Sequence, residues 1–387
     1  MPTFNAVFSS PAAVRLREGH FWQVDALPAS SDEPISVRLA SGYLDLGMAA
    51  KLPGRVIAEV QGAAPELEAA VEAFGRVMAF VSAVISITAN ASAPEFQIEV
   101  VYDCTSGAEE HSFRQWRRQS EDPLAHPRHQ ILDPDLAATV LASLISCPDG
   151  PRAYRACVQY QEAIASWRRG EELRTVMHLW MAVEALTKAF LRSEKSRLGV
   201  DDDGLCTFWN IEKKHLDREV RRRLIFHEHD DIYAEARDTS DGLEHMFKDF
   251  PELQAKAAAC RDAVAADTRL AILEIIGAPK EAIASLTSPR YSAPAQLESL
   301  DRSIAGILTG PADQLAGAAS PHPQLREWTV DIIALKSKGD DYELTLSDKA
   351  KLSIGPSVQF KATGLGTNIP ISELQVEVLK AGGVQAE

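Results

Sequence analysis

Glu171-Glu-Leu-Arg-Thr-Val-Met-His-Leu-Trp-Met-Ala-Val-Glu-Ala-Leu-Thr-Lys-Ala-Phe-Leu decides how the middle of this 387-residue chain folds. Val176, Leu179, Trp180, Val183, Leu186 and Phe190 recur at three- and four-residue intervals. At about 100° per residue that spacing puts them on one stripe of a helix. Working outward, residues 154–167 predict a helix stopped near Gly170, and residues 192–210 are polar and read as a loop. Further helices are expected over 211–226, 232–250 and 253–276. Residues 126–285 therefore read as a central antiparallel helical bundle of four or five helices.

The flanks carry a different period. Ser36-Val-Arg-Leu-Ala, Arg55-Val-Ile-Ala-Glu-Val and Phe96-Gln-Ile-Glu-Val-Val-Tyr have the alternation or β-branched content of half-buried strands. With a helix over 65–93 between them, residues 1–125 are expected to form an N-terminal α/β module. Residues 286–325, with several prolines and a short helix near 297–308, read as a connector. Four short strands beginning near Trp328, Tyr342, Val358 and Leu374 make residues 326–380 a small C-terminal β module. The fold class is multidomain α+β.

With 45% hydrophobic and 25% charged residues the composition is globular. The net charge of −15 disfavours broad attraction to nucleic acid and leaves room only for local contacts. The residues before Ser10 lack a basic segment followed by an apolar one, so a cytoplasmic protein is expected. The most apolar run, residues 77–93, is short for a bilayer crossing and contains Ser82, Ser86, Thr88 and Asn90, which suits a buried core helix. Five cysteines without a C-x-x-C pair read as reduced core residues.

Chemistry-bearing side chains gather in two places. Lys213, Lys214, Arg218, Arg221, Arg222 and Arg223 form a basic strip, followed at once by His227-Glu-His-Asp-Asp. Downstream, Tyr233-Ala-Glu-Ala-Arg-Asp-Thr-Ser-Asp-Gly-Leu-Glu-His places Arg237, Asp241, Glu244 and His245 at helical spacings. Each cluster has a structural reading, as a basic helix end or a face laced with ion pairs. Each also has a functional one, since a carboxylate beside an imidazole tunes it for proton transfer near neutral pH. Gly242 costs about 1 kcal/mol relative to Ala in a helix interior, which points to a break or a close backbone approach. His178 reads as a satisfied core histidine, and Glu184 as a carboxylate paired with an arginine or placed at the bundle edge.

The helix pair ending in Trp180-Met-Ala-Val-Glu-Ala-Leu-Thr, followed by Arg and His residues at a later helix end, resembles a HEPN domain. Ala236-Arg-Asp-Thr-Ser-Asp-Gly-Leu-Glu-His is also similar to a pattern in proteins related to the methylamine-utilisation protein MauJ, and the HEPN-like resemblance as a whole takes in ApeA-like prokaryotic proteins. The HEPN resemblance implies a helical bundle that dimerises and cleaves RNA without a metal or other cofactor, as in toxins and antiviral-defence ribonucleases. It places Arg237 or Arg222 as the group that stabilises charge on the phosphate, and His245 or His227 as the base, with Asp241 and Glu244 beside them. Lys213, Lys214, Arg218, Arg221 and Arg223 would contact the RNA backbone. Arg222 and His227 have four residues between them, Arg223 and His229 five, and Arg237 and His245 seven.

Two alternatives stay open. In one the bundle is a non-catalytic dimeric scaffold and the outer modules recognise a partner. In the other His227, His229 and Asp231 bind a metal for hydrolysis, since imidazoles and a carboxylate are ordinary zinc or iron ligands.

Overall fold

The computed structural model describes residues 1–27, 34–45, 47–107, 110–116, 130–244, 249–296, 302–311, 315, 324–339, 341–367 and 371–380. His245 and residues 122–129, whose Pro123 and Pro127 read as a linker in the sequence, lie outside the described residues, as does the side chain of Glu244. In chain order the first elements are β1 (Thr3–Ser10), β2 (Val14–Arg15), β3 (Phe21–Leu27), β4 (Ile35–Leu44), β5 (Leu52–Ala63), α1 (Leu67–Ala89), β6 (Gln97–Asp103), β7 (Phe113–Gln115) and β8 (Gln130–Ile131). Then come α2 (Pro134–Ser146), α3 (Gly150–Ala165), α4 (Glu172–Leu198), α5 (Asp202–Trp209), α6 (Leu216–Val220), α7 (Asp230–Glu244), α8 (Phe250–Ile275) and α9 (Lys280–Leu286). The chain ends in β9 (Arg302–Thr309), β10 (Gln324–Lys338), β11 (Asp341–Ile354), β12 (Gln359–Thr367) and β13 (Ile371–Lys380).

The N-terminal strands form a six-stranded sheet in the order β3-β4-β5-β1-β6-β7. The pairing is antiparallel wherever a register is defined, so this part is α+β rather than the expected α/β. Strand alternation decides which face is covered. Phe4, Ala6 and Phe8 on β1 and Val56, Ala58 and Val60 on β5 are buried, with Ala6 opposite Val60 and Phe8 opposite Ala58. Gly62 must stay small: a Cβ there would stand 3.0 Å from the Ile35 side chain and 3.2 Å from the Phe74 ring. Helix α1 packs against β1, β6 and α3. It is long and apolar enough to cross a membrane, but 61% of its most apolar stretch is buried within the protein.

The boundary expected near residue 125 does not separate two cores. Residues 1–42, 54–120 and 129–297 form one compact unit whose apolar core runs from Phe4 to Leu286. Short β2–β8 pairing and a bridge between Ala91 and Ala295 stitch the two parts together. Beneath the bridge, buried Arg269 on α8 donates through Nε to the Ile87 carbonyl at 2.8 Å and through Nη2 to that of Thr88 at 3.0 Å. Its Nη1 reaches the Leu286 and Tyr291 carbonyls at 2.8 and 3.1 Å. Asn90, left-handed at the end of α1, donates to Tyr291 O at 2.7 Å and accepts from the Tyr160 hydroxyl at 2.7 Å. Burial pushes that tyrosine up to about 12.

Within the bundle α3 packs on α4, α4 on α8, and α8 on α7. Two local expectations change. Residues 192–210 are helical: α4 continues to Leu198, supported by an Arg197–Glu194 ion pair at 2.7 Å, and stops at left-handed Gly199. Asp201 then caps α5 by accepting from Gly204 N at 2.8 Å. Phe250, expected to end the helix over 232–250, instead opens α8 and is 62% exposed. All five cysteines are free thiols.

A second compact unit comprises the described residues of 43–53 and 302–380. It holds a three-stranded sheet, β10-β11-β13, and a β9–β12 pair. The helix expected near 297–308 is therefore strand β9, because pairing with β12 and packing of Leu308 beside Phe360 outweigh a weak local helical signal. The β module consequently begins inside the segment read as a connector.

Candidate functional site

The expected helix 211–226 is not a single α-helix. Lys213–His215 is a 3-10 turn, α6 is one short helix, and Arg221–Ile225 widens into a π-helical turn. Phe226 N bonds back five residues to Arg221 O at 2.9 Å, and Glu228 N bonds to Arg222 O at 2.9 Å. His227 and Glu228 then occupy the left-handed region at φ 50° and 64°. Two adjacent non-glycine residues there are unusual, and π turns and strained backbone both concentrate at functional sites.

This turn disperses the three consecutive arginines. Arg221 donates to the Thr187 hydroxyl at 3.0 Å, lies 3.5 Å from Glu184 and covers Trp180 at 5.4 Å. Arg222 bonds Glu219 at 3.0 Å and Asp230 at 2.7 Å. Arg223 shares Glu219 at 3.1 Å and covers Trp209 at 5.3 Å. Burial raises the Glu219 carboxyl, but its bonds to Arg223 and Arg222 prevail and hold it below the usual range. Lys213 and Lys214 pair with Asp203 and Glu212 at 2.9 and 2.8 Å. Most of the basic strip is thus engaged within the fold.

What opens to solvent is a cleft of about 430 Å³ between α6, the π turn and α7. Arg218, Arg222 and Arg237 line it with Asp230, Asp238, Asp241 and Tyr233. Arg237 reaches Asp241 at 3.2 Å, the i,i+4 pair expected from the sequence, and Asp238 pairs with Lys256. Arg218 is exposed and has neither a hydrogen bond nor an ion pair among the described residues. Tyr233 is buried against Phe226 and Trp180, with ring centroids 5.4 and 6.2 Å away. Burial raises its hydroxyl, while Arg237, Arg221 and Arg218 draw it down. Helix α7 runs unbroken through Gly242, which is buried.

The imidazoles do not pair with the arginines. His227 Nε2 meets Glu274 at 3.0 Å, and its Nδ1 is buried without a partner among the described residues. His229 Nδ1 lies 3.0 and 3.2 Å from the two oxygens of Asp267. Each imidazole is therefore taken by a carboxylate of α8, where Asp267 and Glu274 are seven residues apart. Among the described residues no three His, Cys, Asp or Glu side chains stand so as to hold a metal ion, so His227, His229 and Asp231 do not form a ligand set. His178, half-buried, is satisfied by Gln159 at 2.9 Å. Asp230, Tyr233 and Asp238 fall within the two clusters read from the sequence but carried no role there, whereas Asp267 and Glu274 escaped the sequence reading. The only signal for the last two was their shared face on a helix.

The His227–Glu274 bond raises the imidazole above its ordinary 6.5, against a smaller opposing effect of burial. Its stabilisation is complete below the unfolded value and is lost as pH rises through the folded one. The protein should therefore lose denaturant resistance as the pH rises above about 6.5, and His227→Gln should flatten that part of the profile. Urea midpoints taken across this window measure it; a parallel slope in the variant would assign the loss elsewhere.

Compared with family models, characterised proteins and solved structures, the chain matches none of them.

Proposed function

We propose that this protein is a HEPN-like, metal-independent endoribonuclease acting as a homodimer, with the Arg218–Arg222–Arg237 cleft as the seat of the scissile phosphate. The observation that carries the reading is the cleft itself: three guanidiniums converge around a buried tyrosine, and Arg218 has no partner among the described residues. The exposed Arg237–Asp241 pair contributes little to stability, so a phosphate oxygen can replace the carboxylate at small cost. An imidazole takes the 2′-hydroxyl proton, and Arg218 and Arg237 stabilise the charge that develops on the phosphoryl oxygens. Of the two bases named from the sequence, His227 has neither nitrogen open, whereas His245 stays a candidate by sequence alone.

A second reading, the non-catalytic scaffold, is favoured by the internal engagement of Arg221, Arg222 and Arg223. Fluorescence anisotropy with a labelled single-stranded RNA and cleavage assays in excess EDTA separate the two. Arg218→Ala and Arg237→Ala should each weaken binding about tenfold and lower the salt slope by about 0.7 per lost phosphate contact. Cleavage should persist in EDTA. Absence of RNA binding even at low salt, with no cleavage, would leave the scaffold reading.

A further inference from the structure

We infer that Asp241 makes the arginine cleft selective for a guanine base beside the bound phosphate. Asp241 thereby extends the ribonuclease reading above, on which the phosphate seat rests, from a phosphate to the base next to it. The cleft carries three guanidiniums, Arg218, Arg222 and Arg237, and three carboxylates, Asp230, Asp238 and Asp241. Its lining is electrically balanced, and a site serving phosphate alone gains nothing from carboxylates that repel it. Phosphate binding at Arg218 and Arg237 leaves two of the three paired. Asp230 is held by Arg222 at 2.7 Å, and Asp238 pairs with Lys256. Asp241 has only Arg237 among the described residues, at 3.2 Å, and the two side chains are 39% and 45% exposed.

A phosphate that takes Arg237 releases Asp241. The freed carboxylate has two acceptor oxygens and no donor, so it favours a ligand edge that presents two donors side by side. Among the RNA bases only guanine has such an edge, in N1–H and the N2 amino group. Adenine and cytosine place a ring-nitrogen acceptor beside their amino group, and uracil flanks its one N–H with two carbonyls. Each of those turns a lone pair towards the carboxylate. Single-stranded RNA exposes the Watson–Crick edge that Asp241 would read. Placement along the helix agrees, because Asp241 follows Arg237 by about one turn, roughly 6 Å along α7. That is within reach of a base whose own phosphate sits on Arg237. The cleft volume of about 430 Å³ suits one nucleotide, and Tyr233 and Ala234 are its uncharged lining, against which the base can lie.

Titration of the full-length protein with the 5′-monophosphates of guanosine, inosine and adenosine at low salt reads the selectivity. Short single-stranded adenosine RNAs with and without one guanosine check the same order in RNA. The wild type should hold GMP about tenfold tighter than AMP, as expected of a bidentate base contact. Inosine, which lacks the N2 amino group, should fall between them. Asp241→Asn should shrink the preference to within about twofold. The variant should bind AMP at least as well as the wild type, because Arg237 no longer faces a competing carboxylate. Loss of an exposed pair makes the variant safe for folding. Equal weakening of all three nucleotides in Asp241→Asn would overturn the assignment. Equal affinities in the wild type, or a preference that survives the substitution, would overturn it too, while cleavage of RNA in the same preparation would leave the ribonuclease reading standing. A protein that leaves RNA intact yet prefers GMP through Asp241 would remove RNA as the substrate and support a guanine site for a free nucleotide. Failure of every nucleotide and RNA to bind would overturn both.

Discussion

Arg269→Met will lose about 3–5 kcal/mol of unfolding free energy, the largest effect expected of any single substitution outside the apolar core. The guanidinium is buried, with no carboxylate partner among the described residues, and it donates to the carbonyls of Ile87, Thr88, Leu286 and Tyr291. Three of those carbonyls belong to the last turns of α1 and α9, where helices leave acceptors without partners. Methionine fills much of the volume but bonds none of them. Each buried acceptor left unsatisfied costs about 1–3 kcal/mol, while removing a buried charge returns part of the sum. The melting temperature should fall by roughly 10 °C. Lysine should lie between, because a single ammonium cannot reproduce the spread of a planar fork.

The same variant tests whether the N-terminal sheet and the helices are one cooperative unit. Arg269 stands on α8, yet two of its acceptors end α1, which packs on the sheet. If they share one unit, tryptophan fluorescence and far-ultraviolet circular dichroism will shift together in Arg269→Met. A sheet signal that stays at its wild-type midpoint, or a melting temperature within about 2 °C of wild type, would show the network to be dispensable.

How much of this was legible in the sequence depends on what each feature needs to be recognised. The α4 stripe was readable because Val176 to Phe190 repeat over several turns and every one of those side chains meets the core. Residues 192–210 were misread because their helices are set by Gly199 and Asp201, two single-residue caps within a polar run. The boundary near residue 125 failed for another reason: Arg269 bonds the Ile87 and Thr88 carbonyls and Asn90 that of Tyr291, across 181 to 201 residues, and no local pattern announces such contacts. At the site, Arg237–Asp241 followed directly from helical spacing. The π turn did not, because Arg221-Arg-Arg-Leu-Ile carries the same apolar periodicity whether the backbone closes over four residues or five. That one extra residue sends the three arginines to different neighbours and turns His227 and His229 towards α8 rather than towards Arg222.

Phe226→Ala carries the second large effect, about 3–5 kcal/mol, and it joins stability to the site. Phe226 is fully buried where the π turn ends and touches two aromatic rings, Trp180 on α4 at 6.4 Å and Tyr233 on α7 at 5.4 Å. Tyr233 lies in the cleft and Arg221 covers Trp180, so the ring supports both the turn and the cleft. Alanine leaves a cavity under both. Phe226→Leu keeps most of the volume and should cost less than about 1.5 kcal/mol. It nevertheless removes the edge contact that orients Tyr233, so on the proposed ribonuclease reading RNA affinity should fall while the protein stays folded. Arg237→Ala should do the reverse of Phe226→Ala: an exposed pair is worth about 0–1 kcal/mol, so the midpoint holds while binding drops. Urea denaturation and RNA titration of the three variants check both claims. If Phe226→Leu binds RNA as the wild type does, Tyr233 is not held by the aromatic cluster, and the cleft must owe its shape to the ion pairs of Arg222 alone.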